Sequence, residues 1–395
     1  EAYTKRIEDA TAKKVEIDRG SLESASRSFY KTREWRDLDV QQRSDKLLKI
    51  ADMIESEIDE IAKTESMDNG KPLREAQADV DDAVHCFRYY AGLIRTPSGQ
   101  TYNVNSNFGN MHSYTVKEPV GVCALITPWN FPFLMSVWKI APALAAGNSI
   151  IFKPSSETVL SALKLFEILD KCDLPKGTAN LVIGSGSTVG NLLAESKKVD
   201  MITFTGSTSV GQGIMRAAAG NVKKIGLELG GKSPNIVFAD TDIDKTVEWV
   251  MMGIFLNQGE VCCAGSRLII EKSIKDKFLK KLVERTDKLT LGAPLDNPDM
   301  GPLISKKHMQ DVLGYIEKGK AEGAKLLCGG YKCTDDDLVN GNFIKPAIFD
   351  DCTPDMSIVR EEIFGPVLTV LTFEDAVFEY IVDKAIEYKL GARGL

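Results

Sequence analysis

The segment Phe255-Leu-Asn-Gln-Gly-Glu-Val-Cys262-Cys263-Ala-Gly-Ser-Arg267 sets two adjacent cysteines after a glycine break and before a β-rich run. A thiolate is a strong nucleophile at neutral pH, provided its pKa is lowered or a base stands near. Packed away as small apolar side chains, which is the commoner fate of free cysteine, the pair would do no chemistry. Leu227-Glu228-Leu229-Gly230-Gly231-Lys232 places one carboxylate between leucines at a strand end. Apolar surroundings would raise its pKa and suit it to general-base work, whereas an ion pair with Lys224 or Lys232 would make it structural. Thr127-Pro128-Trp129-Asn130-Phe131-Pro132 holds an amide side chain between two prolines. Asn130 can donate to a developing oxyanion there, or simply form a turn.

Two glycine-rich turns offer phosphate sites. Gly184-Ser-Gly186-Ser-Thr-Val-Gly190 misses the dinucleotide fingerprint by one residue, and Thr205-Gly206-Ser207-Thr208-Ser209-Val210-Gly211 is a second strand-to-helix turn. Either could cradle phosphate on backbone N–H groups or serve only as a tight turn. The three histidines, His85, His112 and His308, stand far apart, and no HExxH or paired CxxC occurs. A His-rich zinc site and a His-dependent hydrolase are both disfavoured.

The elements that must carry these residues can be read from the pattern. Residues 35–95 are expected to be helical, broken at Asn69-Gly70 and Pro72, with one helix through Val80–Tyr90. Residues 98–117 alternate Tyr102, Val104, Tyr114 and Val116 among Gly, Asn and Ser, which suits a polar hairpin. Strands are expected at Val120–Ile126, Ser149–Lys153, Ala179–Ile183, Met201–Thr205 and Ile225–Leu229. Helices are expected between them at Ser136–Ala146, Glu157–Leu169, Thr188–Glu195 and Val210–Ala219. Such alternation predicts an α/β fold with a parallel sheet that binds nucleotide at its carboxyl edge. A second α/β segment follows, with strands at Asn235–Phe238 and Ser266–Ile270 and helices at Ile243–Asn257 and Ile274–Leu289.

At 395 residues two domains are expected. A net charge of −7 without a basic block argues against nucleic acid, and no apolar run reaches membrane-spanning length. Eight cysteines without a regular framework suit reduced thiols in a cytosol-like compartment. The chain begins at Glu1 rather than Met, which leaves room for a leader and for an organelle matrix.

Taken in order, TPWNFP, FKPS, FTGS, LELGGK, NQGEVC and EEIFGPV resemble the aldehyde dehydrogenase superfamily from about Trp35 to Phe373. The likeness is greatest to the branch of betaine-aldehyde and general aliphatic aldehyde dehydrogenases. It implies a parallel-sheet dinucleotide-binding domain over 1–101 and 119–231, and a second α/β catalytic domain over 232–378. A small β oligomerisation extension would join 102–118 to 379–392. By the same resemblance Cys262 is the nucleophile and Cys263 its non-catalytic neighbour. Asn130 and the Cys262 N–H hold the thiohemiacetal oxyanion, and Glu228 activates the water that hydrolyses the thioester. NAD or NADP is the implied cofactor. Gly206 and Ser207 would meet its pyrophosphate, Lys153 the adenosine ribose, and Glu362 with Phe364 the nicotinamide ribose, while Ile126 and Trp129 line the cleft. Phe131, Met135, Trp138 and Val261 would line an aldehyde tunnel, with Lys139 in support. The implied partners are a small-molecule aldehyde and further copies of the chain, as a homodimer or homotetramer.

Three departures from the family pattern stand out. Members that prefer NAD usually carry a glutamate where this chain has Ser156, with Glu157 one step beyond, so a 2′-phosphate gains room. Betaine-aldehyde members often carry Tyr where Phe131 stands. After Phe373, family segments resembling Ala376-Val-Phe378 and Glu379–Lys384 abut directly. A deletion of that size would open the core to water. Missing residues near Asp375–Ala376 and Phe378–Glu379 are therefore expected, the first thirty residues being another such place, with a strand over 379–390. A coenzyme-A-acylating relative would lack the glutamate found at 228, and a silent member would have lost Cys262 or Glu228.

Overall fold

The computed structural model describes residues 16–96, 98–335 and 338–374. The junctions and the strand expected beyond Asp375, like the start of the chain, lie outside the described residues. Contacts divide the chain into two compact units. Among the described residues, one holds 16–69 with Leu73–Leu229, and the other holds Gly70–Pro72 with 230–374.

In the first unit, α1 (Glu16–Arg27) precedes three further helices, α2 (Val40–Ser56), α3 (Ile58–Asn69) and α4 (Leu73–Arg95). Leu47, Ile50, Ala51 and Ile54 of α2 are fully buried, the three- and four-residue spacing of one helical face. β1 (Thr101–Ser106) and β2 (Gly109–Tyr114) form an antiparallel hairpin.

The helices and strands that follow alternate: β3 (Val122–Ile126), α5 (Pro132–Ala145), β4 (Ser149–Lys153), α6 (Leu160–Lys171), β5 (Ala179–Leu181), α7 (Asn191–Glu195), β6 (Met201–Gly206), α8 (Thr208–Ala218) and β7 (Lys224–Leu229). The five strands are parallel, in the order β5-β4-β3-β6-β7. β3 and β4 are buried throughout, as the apolar runs of a sheet covered on both faces should be. Alternate residues of β3 serve different cores. Cys123 and Leu125 join the cluster under α2–α6, while Val122, Ala124 and Ile126 join one with Leu22 of α1 and Ile214 of α8.

Helix starts differ from the periodicity. α5 begins four residues earlier than expected, because Pro132 is pre-set for the first helical position. α6 begins at Leu160 rather than Glu157, where the Asp68 carboxylate of α3 accepts the Leu160 N–H at 2.8 Å. The expected helix at 188 opens instead as a π-turn over Gly186–Gly190, capped by Ser185.

The second unit contains β8 (Pro234–Val237), α9 (Ile243–Phe255), β9 (Arg267–Glu271), α10 (Lys275–Thr286), α11 (Lys306–Ala321), β10 (Lys325–Cys328), β11 (Ala347–Asp350), α12 (Ser357–Arg360) and β12 (Val367–Phe373). Its sheet runs β10-β11-β12-β9-β8, antiparallel only between β10 and β11. Asp242 caps α9 by accepting the N–H groups of Asp244 and Lys245. Among the described residues no helix is long and apolar enough to cross a membrane.

Candidate active site

In the first unit the parallel register aligns the carboxyl ends of the strands. Ile126 lies opposite Lys153 on one side and Phe204 on the other, and Thr205 lies opposite Glu228. After β3 the chain turns toward β4, whereas after β6 it turns toward β7. That reversal makes the carboxyl ends of β3 and β6 the switch point of the sheet, the place where open α/β sheets have their ligand crevice.

Gly206 and Ser207 stand at this edge. A Cβ on Gly206 would run into the Phe204 ring. Ser207 precedes α8 without capping it; its hydroxyl lies 3.3 Å from that of Ser209, and residues 207–210 are exposed. The first N–H groups of α8 therefore have no side-chain cap from Ser207, an arrangement that, with the helix dipole, suits an anion. Lys153 is only 4% exposed, and its Nζ donates to the Pro154 carbonyl at 2.9 Å. Burial pulls its pKa down to about 8. Ser156 and Glu157 are both exposed just beyond. An anion-binding helix end with a lysine one strand away from the crevice fits a dinucleotide.

Ile126 is buried, Trp129 is half-buried and Asn130 is 2% exposed. Phe131 stands at the cap of α5, and Met135 and Trp138 are three residues apart on one face of the helix, with Trp138 half exposed. Lys139, next in line, is brought down to about 8 by burial, and the charge of Glu228 opposes the fall. Lys139 and Glu228 are thus electrostatic neighbours. Glu228 itself is exposed between half-buried leucines, which corrects the expectation of apolar surroundings. On a strand near a sheet edge, alternate side chains face out whatever their neighbours in sequence.

In the second unit α9 stops at Phe255, two residues short of expectation. Leu256 is extended, and Asn257 (φ 46°), Gln258 (φ 59°) and Gly259 (φ 74°) are left-handed in succession. Each non-glycine residue held this way stores about 1–3 kcal/mol, so the surroundings must fix it. All three are buried. The Gln258 side-chain oxygen accepts the Gly301 N–H at 3.3 Å, and Glu260 accepts the Ile304 N–H at 3.0 Å. The turn presents Val261 and Cys262 half-buried and Cys263 exposed. Burial, then the neighbouring Cys263, pushes the Cys262 thiol above its ordinary range.

Glu362, Phe364 and Val261 meet in a small recess with Gly231 and Lys232. Glu362 accepts the Gly231 N–H at 3.4 Å, and burial raises its pKa. A Cβ on Gly230 would collide with that carboxylate, which accounts for the first glycine of the pair. Lys232 donates to the Ile358 carbonyl at 2.9 Å, and burial lowers its pKa to about 8.

Sequence reasoning missed two residues here. Glu260, fully buried, has its carboxyl driven well above the usual range by desolvation. His308 Nε2 lies 2.7 Å from the carbonyl of Phe364, itself left-handed at φ 59°, and 3.6 Å from Glu260. Nothing in a sequence places residue 308 beside residues 260 and 364. Among the described residues no cluster of His, Cys, Asp and Glu could hold a metal ion.

The chain as a whole is similar to known proteins. The sequence pattern of the aldehyde dehydrogenase family matches residues 2–391. Betaine aldehyde dehydrogenase of Bacillus subtilis is 48% identical over 366 residues, covering 92% of this chain and 74% of that protein. A mitochondrial aldehyde dehydrogenase of Sus scrofa is 42% identical, covering 97% and 72%. The crystal structure of betaine aldehyde dehydrogenase from Staphylococcus aureus in complex with NAD+ superposes with a TM-score of 0.87 at 43% identity, covering 90% and 70%.

Proposed function

The chain belongs to the aldehyde dehydrogenase family, NAD(P)-dependent enzymes that oxidise aldehydes to acids, and from that premise we propose that Cys262 is its nucleophile, Glu228 its general base and Asn130 its oxyanion donor. The observation that carries this reading is the carboxyl edge of the first unit's sheet, which assembles the Asn130 loop, the open end of α8, Lys153 and Glu228 along one line.

The Cys262 thiolate, its proton lost to solvent, bonds to the aldehyde carbon while the carbonyl oxygen takes the electron pair. The Asn130 amide and the Cys262 N–H donate to that oxyanion. NAD(P), when bound, would accept the hydride that the thiohemiacetal carbon loses as the thioester forms. Glu228 then accepts a proton from water as the water attacks the thioester; the C–S bond breaks and the acid leaves. Lys153, Ser156, Gly206 and Ser207 would hold the adenosine and pyrophosphate end, with Ile126 and Trp129 along the cleft and Glu362 and Phe364 at the nicotinamide ribose. Without a carboxylate at position 156, NADP is accepted as well as NAD.

Phe131, Met135, Trp138 and Val261 form the aldehyde tunnel, and the substrate comes from the aliphatic and betaine-aldehyde class. The first unit binds cofactor and the second supplies the thiol. The hairpin exposes Tyr102, Val104, Met111 and Tyr114, which supports a dimer or tetramer built on 102–118. Eight free thiols support a reducing, cytosol-like compartment.

The test is reduction of NAD and of NADP with a panel of aliphatic aldehydes and betaine aldehyde, with and without coenzyme A. The free acid is the expected product at a rate indifferent to coenzyme A. An absolute requirement for coenzyme A would remove Glu228 from its role.

A further inference from the structure

Glu65 and Asn69 stand one turn apart at the end of α3, so their side chains share a face. The chemistry above uses neither. Yet Glu65 is 0% exposed and Asn69 2%, a costly placement for a carboxylate and a carboxamide unless they make specific hydrogen bonds. Both reach the segment that delivers Asn130. The Asn69 Nδ2 donates to the Trp129 carbonyl at 2.8 Å and to the Asn130 carbonyl at 3.3 Å. The Glu65 Oε1 accepts the Phe133 N–H at 3.1 Å.

The local sequence shows why outside help is required. Phe131 occupies the cap position of α5 without a side-chain acceptor, and Pro132 has no N–H to offer. Phe133 is therefore the first residue of the helix with a donor to satisfy, and a carboxylate there also suits the helix dipole. On the other side of Asn130, the Trp129 and Asn130 carbonyls leave β3 at the strand's end, beyond the reach of its ladder. Asn69 supplies their donor. One helical face thus grips the backbone on both sides of a single residue.

We propose that Asn69, assisted by Glu65, is a positioning residue for the oxyanion donor. It fixes the Asn130 backbone so that the side-chain amide is aimed before the aldehyde arrives, and no reorganisation is needed as charge develops. This rests on the reading of Asn130 given above.

Asn69→Leu keeps the side-chain volume and removes the donors, while Asn130→Ala removes the amide itself. The readouts are the pre-steady-state burst of reduced cofactor, the cofactor Kd by fluorescence titration, and the melting temperature. Asn69→Leu is expected to slow the burst on the order of tenfold, since a displacement of about 1 Å can cost up to about a hundredfold. Cofactor affinity should stay within about twofold, and in the Asn130→Ala background the same change should alter the burst by less than about twofold, as coupled sites do. Glu65→Gln, which keeps an acceptor oxygen, should retain the burst, while Glu65→Leu should lose it as Asn69→Leu does. That second pair decides the matter if Asn69→Leu fails to fold. A wild-type burst in Asn69→Leu, or a slowing that multiplies undiminished with that of Asn130→Ala, overturns the proposal. If Asn130→Ala alone leaves the burst untouched, the oxyanion reading itself has failed, and the single variant tells the two failures apart.

Discussion

Asn130 and Cys262 each follow a regular element, but the backbone that delivers them differs in kind. Asn130 leaves a buried parallel strand and enters a helix within two residues, its loop fastened by the side chains of α3. Cys262 leaves α9 through three consecutive left-handed residues, two of them not glycine. Hydrogen bonds from Gly301 and Ile304 and the packing around Gly259 hold that turn. A loop fixed by side-chain partners tolerates change wherever the partner's donor or acceptor is kept. A strained turn fails when its own backbone is altered, because little regular structure is there to restore it.

The largest expected effect comes from the thiol the strained turn presents. Cys262→Ala should lower aldehyde oxidation by at least about a thousandfold, since removing a covalent nucleophile leaves only binding and electrostatic assistance. Cys263→Ala, one residue further into solvent, should keep most of the rate. Steady-state assays of both variants decide the assignment, and a dead Cys263 variant with a live Cys262 variant would reverse it.

Backbone sensitivity gives the next largest effect. A Cβ on Gly259 would both require a left-handed alanine and meet the Gly365 carbonyl. Gly259→Ala should cost about 2–4 kcal/mol, from conformation and overpacking together. Gly213, in the middle of α8, has nothing within 4 Å of its would-be Cβ. Gly213→Ala should be neutral, or stabilising by up to about 1 kcal/mol. Thermal melting of the two variants measures the contrast directly, and equal melting temperatures would erase it.

Cofactor choice should respond less. Ser156→Glu adds an exposed negative charge beyond Lys153, worth about 1 kcal/mol against a 2′-phosphate in a water-like dielectric, or roughly fivefold in favour of NAD. Catalytic efficiencies with both coenzymes test it; a wild type confined to NAD would hand the role to Glu157 or another group.

The smallest effect is a shape rather than a loss. Because the thiolate is the reactive form and burial raises the Cys262 pKa, less thiolate is present at neutral pH, and reactivity should grow as pH rises. Inactivation by iodoacetamide in the absence of cofactor should keep climbing past the ordinary thiol range near about 8.5. A plateau below that range would show that the site lowers the thiol pKa instead.

How much of this the sequence disclosed follows the same division. The five strands of the first sheet are short, apolar and punctuated by glycine-rich turns, so the carriers of Asn130, Lys153, Gly206 and Glu228 were legible from periodicity alone. The start of α6 was not, because the carboxylate that caps it comes from Asp68 on another helix. The exposure of Glu228 also escaped, since two flanking leucines say nothing about which face of a strand a residue takes. Least legible was the turn before Cys262. Leu256 and Asn257 continue a helical pattern in sequence, and only tertiary contacts hold Asn257 and Gln258 left-handed. Glu260 and His308 escaped for the same reason, being neighbours only after folding.

The central claim, a thioester on Cys262 cleared by Glu228, is tested most directly by trapping it. A Glu228→Gln, Cys263→Ala double variant, mixed with aldehyde and NAD(P), should show a burst of reduced cofactor followed by slow turnover. Peptide mass spectrometry of the quenched enzyme should then find the acyl group on Cys262. A burst that vanishes in that variant, with no acyl group on Cys262, would contradict the account and assign Glu228 to activating the thiol instead.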